Sequence, residues 1–203
     1  MAQSDWHGLG PFSIAMTESE RDDQIARARK FCGQAISKVQ YLMLDYRSMD
    51  HKGLRVISDE AELLEPTWRC DGFDCIDLYL QIDTEDQESF TIGWDVPSEA
   101  EGVWLREGAS LGEPFSAVAV WDVSTSPRWA ELLGSQLTDI EFRYRTEEAT
   151  FGWFNELITL TIGKAKIYVF LGEVNANKEP TPSVNNLMVM SDTTSLPDWL
   201  SAT

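Results

Sequence analysis

Ile76-Asp77-Leu78-Tyr79-Leu80-Gln81-Ile82-Asp83, followed by Thr84-Glu85-Asp86-Gln87-Glu88 and then Ser89-Phe90-Thr91-Ile92-Gly93-Trp94, decides the fold class. Ile76, Leu78, Leu80 and Ile82 alternate with Asp77, Tyr79, Gln81 and Asp83. Phe90, Ile92 and Trp94 alternate with Thr91 and Gly93. Successive strand side chains point to opposite faces, so this pattern predicts a β-hairpin with one core face and one wet, acidic face. Asp83 to Glu88 forms its polar turn.

Working outward, the same period of two predicts strands over Phe115 to Val123 and Leu137 to Arg145, the latter with Ile140, Phe142 and Tyr144 inward. Leu157 to Ile162 and Ala165 to Leu171 flank Gly163-Lys164, a two-residue loop of the type II′ kind. Val39 to Tyr46 reads as a strand or a continuation of a preceding helix. Leu54 to Ile57 is a short apolar run, and Asp59 to Leu64 a helical turn or loop. Thr17-Glu18-Ser19-Glu20 is a capping box, and Ile25, Ala28, Cys32 and Ala35 make one stripe, which predicts a helix from about 18 to 36. Ser126-Pro127 opens a second, short helix that carries Trp129 onto the sheet and stops at Gly134.

The fold expected is α+β: a mostly antiparallel sheet of about six strands with an N-terminal helix and a short second helix. Residues 1–174 are expected to form a single domain and 175–203 a C-terminal tail. Within that tail, Asn175 to Ser183 is polar with two prolines and reads as a linker. Leu187 to Met190 adds a strand or docks on the surface, and Leu196-Pro197-Asp198-Trp199-Leu200 is an apolar anchor or a loose end.

The chain has 203 residues, of which 16 are Lys or Arg and 34 Asp or Glu, a net charge of −18. That charge repels a nucleic-acid backbone and excludes a direct phosphate binder. It is also unevenly placed. Between Ile57 and Glu101 stand 14 acids and a single base, Arg69, so 13 of the 18 net negative charges fall in 45 residues. Dense like charge weakens the compact state, which asks for a reason beyond solubility. A functional acidic face is the favoured reason, with solubility alone as the rival. Trp68, Phe73, Tyr79, Trp94 and Trp104 interleave with the acids, a composition like that of interface hot spots. Trp94 belongs to the inward face of the hairpin, leaving Tyr79 and Trp68 as the surface candidates.

The inventory for catalysis is poor. His7 and His51 have no ligand spacing, and Cys32, Cys70 and Cys75 do not make the paired motifs of a zinc site. Asp71-Gly72-Phe73-Asp74 and Asp83-Thr84-Glu85-Asp86 gather oxygens but lack the calcium-loop pattern. There is no G-x-S-x-G elbow, P-loop or G-x-G-x-x-G. No cofactor or metal is expected. Three cysteines suit a reducing cytosol, with a Cys70–Cys75 bond as the alternative. The first 16 residues contain no Lys or Arg and no apolar core segment, and no run reaches 18 apolar residues, so neither a signal peptide nor a membrane span is expected.

This profile, small, acidic, aromatic-rich and without an active-site motif, is similar to that of bacterial immunity proteins and other proteinaceous inhibitors that mask basic nuclease toxins. The similarity is one of composition and covers no specific motif. It implies a non-enzymatic cytoplasmic binding protein that docks on, and inhibits, a basic protein partner. Asp71, Asp74, Asp77, Tyr79, Asp83, Glu85, Asp86 and Glu88 are the candidate partner-binding residues. Two other classes stay open: an acidic chaperone or assembly adaptor, built as a homodimer with an apolar groove, and a hydrolase acting on carbohydrate through two carboxylates.

Overall fold

The computed structural model describes residues 13–45, 53–57, 66–95, 101–109, 117–146, 152–191 and 196–201. Twelve strands are formed among them: β1 (Ile14–Ala15), β2 (Ile36–Leu44), β3 (Gly53–Val56), β4 (Phe73–Ile76), β5 (Tyr79–Thr84), β6 (Ser89–Asp95), β7 (Gly102–Glu107), β8 (Ala117–Asp122), β9 (Leu137–Thr146), β10 (Trp153–Ile162), β11 (Ala165–Val174) and β12 (Pro180–Ser191). Two short helices accompany them, α1 (Glu18–Ala28) and α2 (Asp198–Ser201).

The strands make two six-stranded sheets, not the one sheet expected. The first runs β1-β10-β11-β12-β4, with β9 also paired to β10; the second runs β3-β8-β2-β5-β6-β7. Every pairing is antiparallel except β3 with β8. Ile158, Leu160, Ile167, Val169, Leu187 and Val189 from the first sheet share one core with Val39, Tyr41, Leu80, Ile82, Phe90 and Ile92 from the second. Two sheets packed on each other with side chains interleaved between them is the sandwich solution to burying one apolar face per sheet.

The hairpin pairs as expected, Leu80 with Ile92 and Ile82 with Phe90, all four buried in the shared core, but its second face is not the wet one expected: Gln81 and Thr91 there are buried as well. Its first strand, however, is broken. Ile76 ends β4 in one sheet and Tyr79 starts β5 in the other, so the chain crosses the sandwich at Asp77-Leu78. The Asp77 carboxylate accepts the Leu44 amide at 3.1 Å, and its carbonyl accepts the Trp94 indole N–H at 3.0 Å. Leu78 turns outward to a small cluster of Leu42, Val118 and Val120. Alternation survives the crossing because Ile76 and Leu80 face the same core from opposite sheets.

At the start of α1 the Thr17 half of the capping box forms, with Thr17 Oγ1 accepting from the Glu20 amide, while the Glu20 carboxylate accepts from the Met16 amide, one residue before the cap. The helix is shorter than the stripe suggested. It ends at Ala28, continues as a 3-10 turn over Arg29–Phe31, and stops before Gly33, which takes φ +94°. The expected second helix at 126–134 is a run of hydrogen-bonded turns. The Gly134 amide donates to the Ile36 carbonyl rather than to a carbonyl of its own segment, and the Trp129 indole donates to the Tyr41 hydroxyl, so the segment is held by tertiary partners.

Asn175 to Ser183 is a turn and strand rather than a linker. Asn175 Oδ1 accepts the amides of Asn177 and Glu179, closing the loop between β11 and β12. Pro180 begins β12, and Pro182 falls in the register shift between Thr181 and Asn186. First positions and irregularities are where a strand tolerates proline, which has no N–H to give the ladder. Past them β12 is interior to its sheet, between β11 and β4, although its residues were expected in a tail. The apolar anchor does dock, and Leu200 is buried against the outer face of the first sheet. Among the described residues no helix is long and apolar enough to cross a membrane.

Candidate functional site

The β5–β6 turn carries a run of acids on the second sheet. Glu85, Asp86 and Glu88 are exposed on it. The turn closes through Thr84 N–H to the Glu88 carbonyl at 2.9 Å and Gln87 N–H to the Thr84 carbonyl at 3.1 Å, with Gln87 at φ +64°. It is also fastened to the body of the protein. The Glu85 amide donates to the Ala35 carbonyl at 2.9 Å, and Gln34 Nε2 donates to the Glu88 carboxylate at 2.6 Å. Beneath them the rings of Phe31 and Phe90 lie 4.8 Å apart. These contacts join the tip to the 3-10 turn and to the start of β2.

Asp83, in the stem, accepts from Gln81 Nε2 at 2.9 Å and from Ser89 Oγ at 2.8 Å. Register adds one more acid. Glu107 stands opposite Phe90 at the end of β7, exposed, and the Gly108 amide bonds to the Ser89 carbonyl beside it. Sequence reasoning missed Glu107 because it lies 19 positions beyond Glu88 and nothing local gives the β6–β7 register. Glu85, Asp86 and Glu107 have no salt-bridge partner among the described residues.

The other candidate residues do not join this surface. Asp71 is exposed, but on the turn before β4, a strand of the other sheet. Asp74 is 3% exposed and committed: Oδ2 accepts from Arg128 Nε at 2.9 Å and from the Tyr41 hydroxyl at 2.6 Å. Tyr41 in turn accepts from Trp129 Nε1 at 2.8 Å, and Arg128 Nη1 reaches Ser191 Oγ at 3.3 Å. Burial first, then the Asp74 charge, pushes the Tyr41 hydroxyl well above the usual phenol range, so it stays protonated and donates. This chain crosses from one sheet to the other and is structural. Asp77 is half-buried at the sheet crossing, and half-buried Tyr79 packs its ring 5.7 Å from that of Trp104.

The interleaved aromatics are likewise interior. Trp68 lies in the shared core with its ring edge-on to Tyr41 and Trp121, and Trp104 and Phe73 are buried too. An acid-rich stretch built around buried aromatics gives the same composition as an interface, which is why composition misplaced Trp68.

Cys32, Cys70 and Cys75 are free thiols. Burial, followed by the charges of Cys70, Asp77 and Glu173, pushes Cys75 up to about 12, which disfavours the thiolate a metal would need. Among the described residues no three His, Cys, Asp or Glu side chains converge as a ligand set. Asp74, half of one candidate calcium loop, is occupied by Arg128. His7 and His51, and the stretch from Asp59 to Leu64, lie outside the described residues.

No protein family, no curated protein and no solved structure matches this chain.

Exposed carboxylates held on a fastened turn can accept charge-assisted hydrogen bonds from Lys and Arg. They also attract a cationic surface over a Debye length, roughly 8 Å at physiological salt.

Proposed function

We propose that this is a non-enzymatic, cytoplasmic acidic binding protein that docks on a basic protein partner and inhibits it, in the manner of an immunity protein. The observation that carries the reading is the β5–β6 turn. Glu85, Asp86 and Glu88 project from a turn that is fastened at Ala35 and Gln34. A pre-ordered turn loses little freedom on binding. Its carboxylates match the Lys and Arg that line a nucleic-acid-binding cleft, so masking such a cleft is the inhibitory act proposed. The docking set is Glu85, Asp86 and Glu88, with half-buried Asp83 in the stem behind them. Three free thiols accord with a reducing compartment.

The test is capture from the native cell at low salt, with the wild type and the triple variant Glu85→Lys, Asp86→Lys, Glu88→Lys side by side. A basic protein held by the wild type and lost by the variant supports the reading. Identical captures by both proteins overturn it.

A further inference from the structure

Strand β9 stands at the edge of the first sheet. Among the described residues β10 is its one partner strand. Its start is covered, because the Leu137 amide donates to the Gln34 carbonyl at 2.9 Å and the Leu137 carbonyl accepts the Gly33 amide at 2.7 Å. From there β9 runs to Thr146 without a proline or a lysine, two of the residues that commonly blunt an edge against pairing. Antiparallel strands turn alternate N–H and C=O groups away from their partner. Ile140 gives the phase: its amide goes to the Asp139 carboxylate at 2.9 Å. Phe142 and Tyr144 share that phase, so their backbone groups point outward from the edge.

The side chains along this edge read Asp139-Ile140-Glu141-Phe142-Arg143-Tyr144-Arg145. Two acids precede Phe142 and two bases follow it at mirrored spacings. Ile140 and Phe142 face the shared core, which places Asp139, Glu141, Arg143 and Arg145 together on the outer face. Laid antiparallel against a second copy of itself, with the two-fold axis through Phe142, the strand sets Glu141 opposite Arg143 and Asp139 opposite Arg145, each contact made twice. Ile140 then meets Tyr144, and the outward amide and carbonyl of Phe142 meet those of the second Phe142. Half-buried Phe142 and Tyr144, whose rings stack 6.0 Å apart, gain cover from the second copy.

The ion pairs already on this face leave room for that contact. Arg29 lies 3.9 Å from Asp139 and Lys166 3.8 Å from Glu141, all four side chains well exposed, and such pairs contribute little. Arg143 is fixed on the face by the Glu156 carboxylate and the Leu200 carbonyl, and a guanidinium has five N–H donors to share.

We infer that β9 is a self-association edge, through which two copies of this chain pair antiparallel about Phe142 and join their first sheets into one continuous sheet. The mirrored charge order is what names a second copy as the partner. Opposite charges facing each other across strands stabilise, and like charges destabilise. Parallel pairing would set like against like at all four charged positions, and a slip of two residues would put Glu141 or Arg143 opposite itself. The interface is isologous, the same patch serving both copies. It lies on the other sheet from the acidic turn and does not depend on the reading of that turn.

The test is sedimentation equilibrium of the full chain over a range of concentrations. The wild type is expected to form a dimer as concentration rises. Asp139→Arg alone and Arg145→Asp alone each place two like-charge pairs in the ladder, and each should raise the dissociation constant about tenfold or more. Mixed in equal amounts, the two single variants face each other with opposite charges at both positions, so a heterodimer of wild-type strength should return. The double variant Asp139→Arg, Arg145→Asp should likewise recover the homodimer, which separates a lost contact from a damaged fold. Amide exchange at Phe142 and Tyr144 should slow as the wild type is concentrated. A wild type that stays monomeric at every concentration overturns the proposal. So does a dimer indifferent to both single reversals, or a loss that neither mixing nor the double variant restores.

Discussion

Arg128 and Asp74, 54 positions apart in the chain, lie 2.9 Å from each other inside the protein, and the pair fastens the turn segment after β8 to the edge strand β4. Both side chains are almost fully withdrawn from water. Removing one partner of a buried pair leaves an uncompensated charge, which costs more than the pair contributes. Asp74→Ala is therefore expected to lower unfolding free energy by about 3–5 kcal/mol. Replacing both residues together with apolar ones should cost much less than the two single losses combined. Urea denaturation of the two single variants and the double variant checks this as a double-mutant cycle.

Tyr41→Phe tests the next link. It deletes the donor to Asp74 and the acceptor for Trp129 while keeping the ring edge against Trp68. Leaving a buried indole N–H unpaired costs about 1–3 kcal/mol, and the loss should appear as a lower urea midpoint with an unchanged slope.

The pH dependence has a definite sign. Cys75 has an ordinary value of 9.0 and stands at about 12 in the folded protein, so the folded state holds this proton more tightly than the unfolded chain does. The stabilisation is complete below pH 9.0 and is lost as pH rises towards about 12. Tyr41, also raised, acts in the same direction at higher pH. Thermal midpoints measured from pH 8 upward should fall less steeply for Cys75→Ala than for wild type. Parallel curves would refute the assignment to this thiol.

Gly93 marks a close approach on the outer face of the second sheet. A Cβ there would come within 2.7 Å of the Tyr79 ring and closer still to the Trp104 ring. Trp104 is buried and its ring has little room to withdraw. Gly93→Ala is expected to destabilise by roughly 1–3 kcal/mol through overpacking and to shift the tryptophan emission.

The hairpins of both sheets were readable along the chain because their apolar residues alternate toward the shared core, and a period of two records that. The β5–β6 pairing and the Gly163-Lys164 turn are of this kind: Gly163 alone of the two takes positive φ, as a type II′ turn requires. The crossing at Asp77-Leu78 was invisible because Ile76 and Leu80 point into one core from two sheets. β12 was hidden by Pro180 and Pro182, whose harmless positions at a strand start and a register shift are set by its pairing with β11. The exposed acids of the turn were legible as a turn. Asp74 was not legible as buried, because its partner Arg128 comes from a distant segment, and Glu107 required the β6–β7 register.

The central claim, docking through the acidic turn, is tested most directly by an association rate. With the basic protein captured at low salt, stopped-flow mixing should give a wild-type rate constant that falls steeply as salt rises. Reversing Glu85, Asp86 and Glu88 to Lys should slow association at low salt by about tenfold or more and flatten the salt dependence. Equal rate constants for the two proteins at low salt would contradict the account.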